Sequence, residues 1–434
     1  MERLLNKIKK YFPQELFRVL QPSYHFALVF IAALWYLFPS RRLIVIGITG
    51  TKGKTTVVHL AHEILEHSGA KTASLSSVRF KIGEREEMNE SKMTMPGRFF
   101  VQRFLYRAAQ AGCHYAVIEV TSQGIAQSRH RFIRFSSAVM TNIAPEHIEY
   151  HGNFEKYIRA KLDLFWRLGK GVAAIINRDD QAAGRFAAAT SAHRAWYSRE
   201  RIVIAGKTWL VEDSVMSEDG ISFDSGGYPF ISPLRGEFNF YNILAAVTVG
   251  LSRHISLEKI AEAVNKFSGV PGRMEFVRRE PFAVVVDYAH TPDSLRKVYE
   301  TLRHSLQPIT YNLQPRLICV LGATGGGRDR WKRPEFGKIA KQFCDCVILT
   351  DEDPYDENPE AILDAIASGF SQHPHAQKIL DRRSAIRAAV QSAKLGDTVI
   401  ITGKGAEPWM MKAGGTRIPW DDRAVAREEI DKLS

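Results

Sequence analysis

Residues 42–65 read RLIVIGITGTKGKTTVVHLAHEIL, a segment from which the fold class can be predicted. An apolar run typical of a buried strand enters a glycine-rich turn, which leads into Lys54, two threonines and a helical pattern of apolar residues. The order strand, loop, helix predicts a phosphate-binding loop, in which backbone N–H groups near Gly50 and Gly53 and the positive end of the helix hold phosphate oxygens. The spacing is not that of the common loop, because Ile48 stands where that loop has its first glycine.

Beyond this loop, short β-rich runs alternate with helical segments. A first series contains RLIVIGIT, HYAVIEVT, SAVMTNI and VAAIINR; a second follows GVPGRMEF and contains FAVVVDYAH, RLICVLGAT, CVILTDED and TVIITGKG. The alternation predicts an α/β fold whose parallel sheets are covered by helices. We expect a P-loop central domain with a mainly parallel sheet at 42–270, followed by a Rossmann-like α/β C-terminal domain at 271–434. Ligands of such sheets bind beyond the carboxyl ends of the strands.

Composition narrows the choice of partners. The chain of 434 residues is long enough for two or three domains. Its 59 lysines and arginines against 47 acidic residues give a formal charge of +12, which favours anionic ligands such as nucleotides and carboxylated substrates. The sequence contains no basic tract interleaved with aromatic residues, so we do not expect nucleic acid as a partner.

The cysteines are few and unpaired in sequence. They are Cys113, Cys319, Cys344 and Cys346, and the last three sit in or beside apolar runs. No C-x-x-C pair occurs among them. We therefore expect reduced thiols in a protein core and no zinc site.

Residues 1–41 are expected to form a short N-terminal segment with an apolar helix. Within it, FALVFIAALWYLF at 26–38 carries no charge. As a helix it would span roughly 20 Å, short of the roughly 30 Å hydrocarbon core of a bilayer. We expect it to be buried against the next domain. The basic NKIKKYF before it keeps a second interpretation open, in which an interfacial helix brings residues 24–42 to a membrane surface.

The loop TGTKGKTT resembles that of the Mur ligases and folylpolyglutamate synthetases, ATP-dependent enzymes that form amide bonds. Further segments similar to Mur ligase motifs follow in family order: VIEVTSQGIAQSR, TNIAPEHIEYHGNFEKYIRAKLDLF, LRGEFNFYNILAA, GVPGRMEFV, DYAHTPDSL, GGGRDRWKRPEFG, TDEDPYDENP and GKGAE. They cover almost everything from Arg42 to about Asp422, and DYAHTPDSL is most similar to the UDP-N-acetylmuramoyl-tripeptide synthetase (MurE-type) branch. That branch carries an N-terminal UDP-binding domain, which we expect to be missing here.

The resemblance implies ATP and Mg²⁺ as cofactors. The implied nucleotide-binding residues are Gly50, Thr51, Lys52, Gly53, Lys54, Thr55, Thr56, Asn239, Asn242, Arg273 and Asp287. The implied magnesium ligands are Thr55, Glu119, His147 and Lys161, with Lys161 carbamylated. The implied catalytic residues are Lys54, Glu119, His147, Lys161 and His290.

The chemistry of amide formation makes sense of these residue types. A carboxylate must take a phosphoryl group from ATP before an amine attacks it, so a lysine and divalent cations are needed to counter the negative charge. Glu119 supplies a hard oxygen ligand for Mg²⁺. An ammonium at Lys161 would repel that ion, whereas carbamylation by CO₂ would turn the side chain into an anion. We expect His151, in the turn between Pro145 and Gly152, to be structural.

The resemblance also implies a set of substrate residues: Ser122, Arg129, Arg333, Asp353, Tyr355, Gly403 and Glu407. Arg333 would clamp a carboxylate, because a guanidinium pairs with it bidentately. The chain reads EDPY at 352–355, where the diaminopimelate enzymes have DNPR, so Tyr355 replaces the arginine that grips the distal carboxylate. We hypothesise that Asp353 and Glu407 form an acidic pocket for a side-chain ammonium, as in lysine or ornithine.

The expected function is ATP-dependent, ADP-forming ligation of an amino acid to a muropeptide-type carboxylate through an acyl phosphate, in peptidoglycan precursor synthesis. The expected partners are these small molecules, and the enzyme is expected to be a cytoplasmic monomer, with peripheral contact at the inner membrane face left open. Two alternatives remain. One is a folylpolyglutamate synthetase-like ligase, whose loop typically reads GKGS where this chain has GKTT. The other is a non-catalytic nucleotide-binding Mur homologue, which the retained loop lysine and metal-ligand motifs disfavour.

Overall fold

The computed structural model describes residues 14–91, 93–146, 148–306, 314–327, 330–370 and 376–433. The chain divides into two compact units. The first takes in the chain up to Glu212 together with Asp224–Pro229 and Tyr241–Asn265. The second takes in Asp213–Phe223, Phe230–Phe240 and the chain from Lys266 onward.

Strands and helices alternate through the first unit. Its main strands are β1 (Ile44–Thr49), β2 (Thr72–Leu75), β3 (Arg79–Ile82), β4 (Arg85–Met88), β5 (Tyr115–Glu119), β6 (Phe135–Met140), β7 (Ala173–Asn177), β8 (His193–Tyr197), β9 (Arg201–Ile204) and β10 (Lys207–Leu210). Its helices up to that point are α1 (Gln14–Trp35), α2 (Lys54–His67), α3 (Arg98–Gln110), α4 (Ser122–Ala126), α5 (Ile148–His151), α6 (Phe154–Trp166) and α7 (Ala183–Ala188).

A smaller sheet and two helices follow along the chain. The sheet has the order β11–β12–β13, formed by β11 (Glu212–Met216), β12 (Ile221–Ser225) and β13 (Tyr228–Ser232). The helices are α8 (Glu237–Ser252) and α9 (Leu257–Lys266).

The main sheet of the first unit has ten strands in the order β10–β9–β8–β7–β6–β1–β5–β2–β3–β4. The strands from β8 to β2 pair in parallel, and antiparallel hairpins extend both edges. Because the chain leaves β1 toward β2 and later returns to β6 on its other side, the carboxyl end of β1 lies at a topological switch point. Open α/β sheets bind ligands at such a point.

The second unit is built on a six-stranded sheet in the order β14–β15–β19–β16–β17–β18. Its strands are β14 (Glu275–Arg278), β15 (Ala283–Asp287), β16 (Leu317–Leu321), β17 (Cys346–Leu349), β18 (Ala376–Lys378) and β19 (Thr398–Thr402), with the hairpin β20 (Trp409–Met411) and β21 (Arg417–Pro419) beside them in sequence. Its helices are α10 (Pro292–His304), α11 (Lys332–Phe343), α12 (Pro359–Ala367), α13 (Arg382–Ser392) and α14 (Asp422–Asp431). All pairs except β14–β15 are parallel.

Side chains of this second sheet alternate between two separate cores. Val285 packs with Leu295 and Phe336 from α10 and α11, whereas Val284 on the opposite face packs with Ile386 from α13. Parallel sheets need both faces covered, which is why their strands are continuous apolar runs. The predicted α/β class is confirmed, and all eight predicted strands are present.

The N-terminal apolar segment forms the expected helix, but only one side of this helix is buried. Helix α1 forms, and Val29, Ala32 and Ala33 are fully buried. The expectation of a buried helix is nevertheless wrong for the opposite side, where large apolar residues such as Leu34 and Trp35 are more than half exposed. None of the helices that the structure describes has the length and apolar character needed to cross a bilayer.

The expectation of reduced thiols is also corrected. Cys319 on β16 and Cys344, directly after α11, form a disulfide. The two residues are 25 positions apart and lie in apolar surroundings, so no sequence feature indicates that they pair. The packing of α11 on the sheet brings their sulfur atoms together. Cys113 and Cys346 are free thiols.

A buried ion pair ties α13 to α14 in the second unit. Arg382 is fully buried and donates to both carboxylate oxygens of Asp422, at 2.8 and 2.7 Å, and to the carbonyl of Thr402 at 2.8 Å. Trp420 donates its indole N–H to the same carboxylate at 2.7 Å. Removing one partner of such a pair leaves the other charge buried without compensation.

We therefore expect Arg382→Leu to lower the free energy of unfolding by about 3 to 5 kcal/mol, measured by chemical denaturation. The double variant Arg382→Met, Asp422→Leu should lose less than either single variant, because no unpaired charge stays buried. Arg303→Leu, which breaks the exposed pair with Asp345, is the control and should cost less than about 1 kcal/mol. Equal stability of the Arg382→Leu variant and the unchanged protein would contradict this account.

Candidate active site

The phosphate loop connects β1 to α2 at the switch point. Gly50 and Gly53 have φ angles of +148° and +82°, which residues other than glycine rarely adopt. A Cβ on Gly53, the N-cap of α2, would also overlap the side chain of Asn242. Thr55 and Thr56 lie in the first turn of α2 and are buried. Glycine at both positions is thus required by the backbone and by space.

Glu119 joins this loop at the end of β5. It is buried, and its Oε2 accepts hydrogen bonds from the Thr55 hydroxyl at 3.0 Å and from the backbone N–H of Ser77 at 3.1 Å. The Ser77 hydroxyl lies 2.8 Å from that of Thr55. The structure therefore brings together Thr55 and Glu119, two of the predicted magnesium ligands, and adds Ser77, which sequence reasoning missed.

Lys161 reaches the same loop from α6. Its side chain is buried, and Nζ donates to the carbonyl oxygen of Gly50 at 2.6 Å and lies 4.7 Å from the centroid of the Tyr157 ring. Burial, reinforced by the positive charge of Lys54, holds the pKa of Lys161 well below its usual range. Glu146 and Glu119 act in the opposite direction without cancelling the effect. The lowered pKa raises the fraction of uncharged amine, and the uncharged amine is the nucleophilic form.

Two lysines of the phosphate loop itself, Lys52 and Lys54, form hydrogen bonds with neighbouring residues. Lys54 Nζ donates to the carbonyl of Thr51 at 2.8 Å. Lys52 Nζ forms an ion pair with the buried carboxylate of Glu146 at 2.7 Å, and its backbone N–H donates to Asn142 at 2.9 Å. Sequence reasoning missed Glu146, although it lies in the quoted motif TNIAPEHIEYHG, because its partner Lys52 is far away in the sequence.

The histidines of that motif differ in status. His147, a predicted magnesium ligand and catalytic residue, lies outside the described residues. His151 ends the short helix α5, and its ring makes an edge contact with that of Tyr157 at 5.5 Å. Burial, together with the charge of Lys161, lowers the pKa of His151 to about 4, so its ring is neutral near pH 7. These contacts agree with a structural role for His151.

The donor atoms suit Mg²⁺ better than a transition metal. Among the residues that the structure describes, no three His, Cys, Asp or Glu side chains are grouped to hold a metal ion. Thr55 and Glu119 offer two hard oxygens 3.0 Å apart at the mouth of a phosphate loop. Mg²⁺ typically binds one or two protein oxygens and completes its shell with substrate phosphates and water. The residues present therefore fit Mg²⁺ delivered with a nucleotide.

The predicted substrate residues of the first unit follow Glu119 in sequence. Ser122 begins α4 and is buried, with Thr121 as the N-cap. Arg129 donates to the carbonyl of Met95 and to Gln127 Oε1. Arg129 is thus held by the Met95 carbonyl and by Gln127, and Ser122 lies in the first turn of α4.

The predicted adenine residues occupy the start of α8. Asn239 is buried and donates from Nδ2 to the Arg235 carbonyl at 2.9 Å. Asn242 is buried beside Gly53. Of these two asparagines, Asn242 belongs to the first unit and lies against the phosphate loop there.

In the second unit, the predicted residues Arg273, Asp287 and His290 surround the end of β15. Asp287 accepts the backbone N–H groups of Met274 and Ala289, each at 2.7 Å, so its carboxylate fixes the turn. The Arg273 guanidinium lies 4.4 Å from the ring centroid of Tyr288. His290 Nδ1 lies 2.8 Å from the Tyr288 carbonyl oxygen.

The hypothesis of an open acidic pocket needs correction. Lys404, fully buried, donates to both oxygens of Asp353 at 2.9 Å and to Glu407 at 2.6 Å. Tyr288 donates its hydroxyl to the other oxygen of Glu407 at 2.9 Å. The chain itself thus places an ammonium between the two carboxylates, and one net negative charge remains in the trio. Lys404 lies inside the GKGAE motif, where its neighbours Gly403 and Glu407 had been singled out.

Neighbouring residues complete this cluster. Glu352 is buried beside Gly403 and accepts the Thr324 hydroxyl at 2.7 Å. Burial raises the pKa of Glu352 to about 7, against the opposing charge of Arg382. Sequence reasoning gave Glu352 no role, because its partners come from distant strands.

The remaining predicted residues of this unit are Arg333 and Tyr355. Arg333 is buried and pairs with Glu357 at 3.1 Å, so the predicted carboxylate clamp already has a carboxylate partner in the chain. Tyr355 has a φ of +53°, and its ring lies against Gly326.

Comparison with known proteins bears on these features. Residues 48–250 match the Mur ligase middle domain, and residues 272–405 match the Mur ligase glutamate ligase domain. The UDP-N-acetylmuramoyl-L-alanyl-D-glutamate–2,6-diaminopimelate ligase of Gloeobacter violaceus is 41% identical over 409 residues, which cover 93% of this chain and 80% of the relative. The UDP-N-acetylmuramyl-tripeptide synthetase of a Roseiflexus species is 39% identical over 436 residues, covering 95% and 83%.

Solved structures show the same relationship. A UDP-N-acetylmuramoyl-L-alanyl-D-glutamate–2,6-diaminopimelate ligase superposes with a TM-score of 0.62 and 32% identity, over 90% of this chain and 79% of that one. Folylpolyglutamate synthase of Mycobacterium tuberculosis, complexed with ADP and AMPPCP, gives 0.67 at 19% identity, over 87% and 92%, which indicates a shared fold. The chain belongs to the Mur ligase family, close to the MurE-type tripeptide synthetases, and members of this family are ATP-dependent, ADP-forming amino acid ligases.

Proposed function

We propose that this chain adds an amino acid to a muropeptide-type carboxylate in peptidoglycan precursor synthesis, through an acyl phosphate formed with ATP. The observation that carries the proposal is the meeting of the phosphate loop, Glu119 and Lys161 at the switch point of the first sheet. Relatives named as diaminopimelate ligase and tripeptide synthetase support the reaction class. We further propose a cytoplasmic monomer in which residues 24–42 contact the inner membrane face.

Lys161 is proposed to be carbamylated. An uncharged amine attacks the carbon of CO₂ and releases one proton, which leaves an anionic carbamate. Burial of Lys161 and its lowered pKa favour the uncharged amine that this step needs. The carbamate oxygens, with Thr55 and Glu119, would hold Mg²⁺, which counters the charge of the phosphates when bound.

The loop residues are proposed to position ATP. Backbone N–H groups between Gly50 and Thr55, with the N-terminus of α2, would hold the β- and γ-phosphates. Lys54 lies one hydrogen bond from the loop backbone and would exchange the Thr51 carbonyl for a phosphate oxygen. Lys52 is held by Glu146 at the same loop.

The amino acid added is proposed to carry a side-chain ammonium, as lysine and ornithine do. This proposal rests on Tyr355, which offers no positive charge for the distal carboxylate of diaminopimelate. The net negative charge left by Asp353, Lys404 and Glu407 supports the same choice, more weakly than an open acidic pair would.

Glu119→Gln keeps the size of the side chain but removes the charge that Mg²⁺ requires. We expect amino-acid-dependent ADP formation to fall by at least about 100-fold, in the range seen when a charge-stabilising group is removed from an active site. Ser77→Ala, which removes a neutral hydroxyl from the same network, is the control and should retain most activity. Full activity of Glu119→Gln would favour a different metal arrangement, and no ADP formation by the unchanged protein would favour the non-catalytic alternative.

Lys161→Ala should abolish ligation, because neither an amine nor a carbamate remains. Lys161→Glu retains an anion at that site and should keep measurable activity, with no response to bicarbonate. The unchanged enzyme, depleted of CO₂, should regain activity when bicarbonate is added, and ¹³C-labelled bicarbonate should give a carbamate signal in NMR spectra. The exposed Lys156 on the same helix provides the control variant Lys156→Ala. A bicarbonate-independent enzyme without a carbamate signal would rule the modification out.

Amino acid choice is tested by phosphate release with a panel of lysine, ornithine and diaminopimelate, followed by mass determination of the product. We expect lysine or ornithine to be preferred. Tyr355→Arg should shift the ratio toward diaminopimelate by about tenfold, the equivalent of one added ion pair. Tyr355→Phe, which adds no charge, should leave the ratio unchanged. Preference of the unchanged enzyme for diaminopimelate would contradict the proposal while leaving the ligase reaction intact.

A further inference from the structure

The outward side of α1 is apolar where a surface helix is normally polar. Its exposed large residues are Phe26, Phe30, Ile31, Leu34 and Trp35, with 46%, 43%, 48%, 53% and 75% of their surface accessible. Their successive spacings of four, one, three and one residues place them on one side of the helix. A helix on the surface of a globular protein ordinarily directs its apolar stripe inward and its charged residues outward. Here the outward stripe is the more apolar one.

The inward side holds the helix in this orientation. Val29, Ala32 and Ala33 are fully buried and mostly small, which lets α1 approach the first unit closely. At its C-terminal end, the ring of Tyr36 lies 5.6 Å from that of Tyr106 on α3. His25 is buried and hydrogen-bonds Arg98, at the start of α3. The outward stripe is therefore presented by a packed helix and not by a loose one.

Aromatic rings extend the stripe beyond the helix. Phe132 contacts Phe26 and Phe30, with ring centroids 5.1 and 5.3 Å apart. Phe38 contacts the same ring at 6.5 Å. Leu37, which follows the helix, is 71% exposed. We call the exposed residues Phe26, Phe30, Ile31, Leu34, Trp35 and Leu37 the apolar strip.

Positive charge lies at the C-terminal end of the apolar strip and, in the sequence, also before it. Between Arg18 and Arg41 the sequence has no Asp, Glu, Lys or Arg, whereas residues 1–42 as a whole carry seven basic and two acidic residues. Arg41 and Arg42 are exposed at the end of the strip, and the Arg41 guanidinium lies 4.9 Å from the centroid of the Phe38 ring. An apolar strip with a basic border is complementary to the interface of an anionic bilayer.

We propose that the apolar strip lies in the interface of an anionic lipid bilayer, with α1 parallel to the membrane plane. The packed inward side prevents α1 from crossing the bilayer, because Val29, Ala32 and Ala33 would have to leave the first unit. Phe26, Phe30 and Trp35 enter the boundary between headgroups and acyl chains, and Arg41 and Arg42 contact lipid phosphates. This inference rests on the membrane contact included in the proposed function and specifies its face and its lipid chemistry.

The test uses the full chain and vesicles. Cosedimentation is measured with vesicles of phosphatidylcholine alone and of phosphatidylcholine with phosphatidylglycerol in equal parts. We expect binding to the anionic vesicles, weakened by salt, and little binding to the neutral ones. The variant Ile31→Glu, Leu34→Glu, Trp35→Glu should bind the anionic vesicles at least about tenfold more weakly, because binding scales with the apolar area inserted.

Leu210→Glu is the matched control, since Leu210 is 52% exposed, as Leu34 is at 53%, and lies outside the apolar strip. It should bind like the unchanged protein. Equal vesicle binding by the triple variant, or no binding by the unchanged protein, would overturn the proposal. So would a dimer in sedimentation velocity that the triple substitution converts to a monomer without any vesicle binding, since the occupant would then be a second copy. Amino-acid-dependent ADP formation, measured without vesicles, should be the same in all variants, so loss of ligase activity and loss of membrane binding are scored separately.

Discussion

The buried hydrogen bond between Lys161 and the Gly50 carbonyl joins the parts of the active site of the first unit. It connects α6 to the phosphate loop, and a second connection runs from the Tyr157 hydroxyl on the same helix to Thr51 at 2.8 Å. Gly50 has a φ of +148°, a backbone conformation that residues other than glycine rarely adopt. Since β1 lies between β5 and β6, the strand that carries Glu119 and the turn after β6 are fixed to the same loop. A substitution of Lys161 should therefore alter the geometry of the whole phosphate loop.

Two of the site lysines in this basic chain are paired with carboxylates. Lys52 is paired with Glu146, and Lys404 is shared by Asp353 and Glu407. Lys161 differs from these cations, because its direct partner is a carbonyl and its pKa is lowered by burial. An amine in that setting gains by becoming neutral or by acquiring negative charge, which is the physical basis for the proposed carbamate. In the second unit the internal ammonium of Lys404 leaves one net negative charge on the trio with Asp353 and Glu407.

Eight of the strands could be predicted from sequence because they are parallel strands with continuous apolar runs, as expected for strands buried on both faces. Runs such as AVVVD and LICVL are almost entirely apolar and short, which is typical of a buried strand. All eight predicted runs are strands. The antiparallel edge strands β3, β4, β9 and β10 are short and partly polar, so the sequence did not reveal them. The disulfide between Cys319 and Cys344 was missed for a related reason, since apolar flanks suit a buried thiol and a buried disulfide equally.

The amino-acid sequence was enough to predict eight strands, the phosphate loop with its glycines, and the residue types available for nucleotide and metal binding. These follow from local preferences and from motifs of neighbouring residues. Tertiary packing, in contrast, establishes which charges meet, as Lys404 does with Asp353 from 51 positions away, and that Glu119 shares a hydrogen bond with Thr55. It also decided that the apolar strip of α1 faces outward, because an apolar residue in a sequence is equally compatible with a core and with an interface. Contacts between distant segments depend on packing, and packing cannot be predicted from any one segment of the sequence.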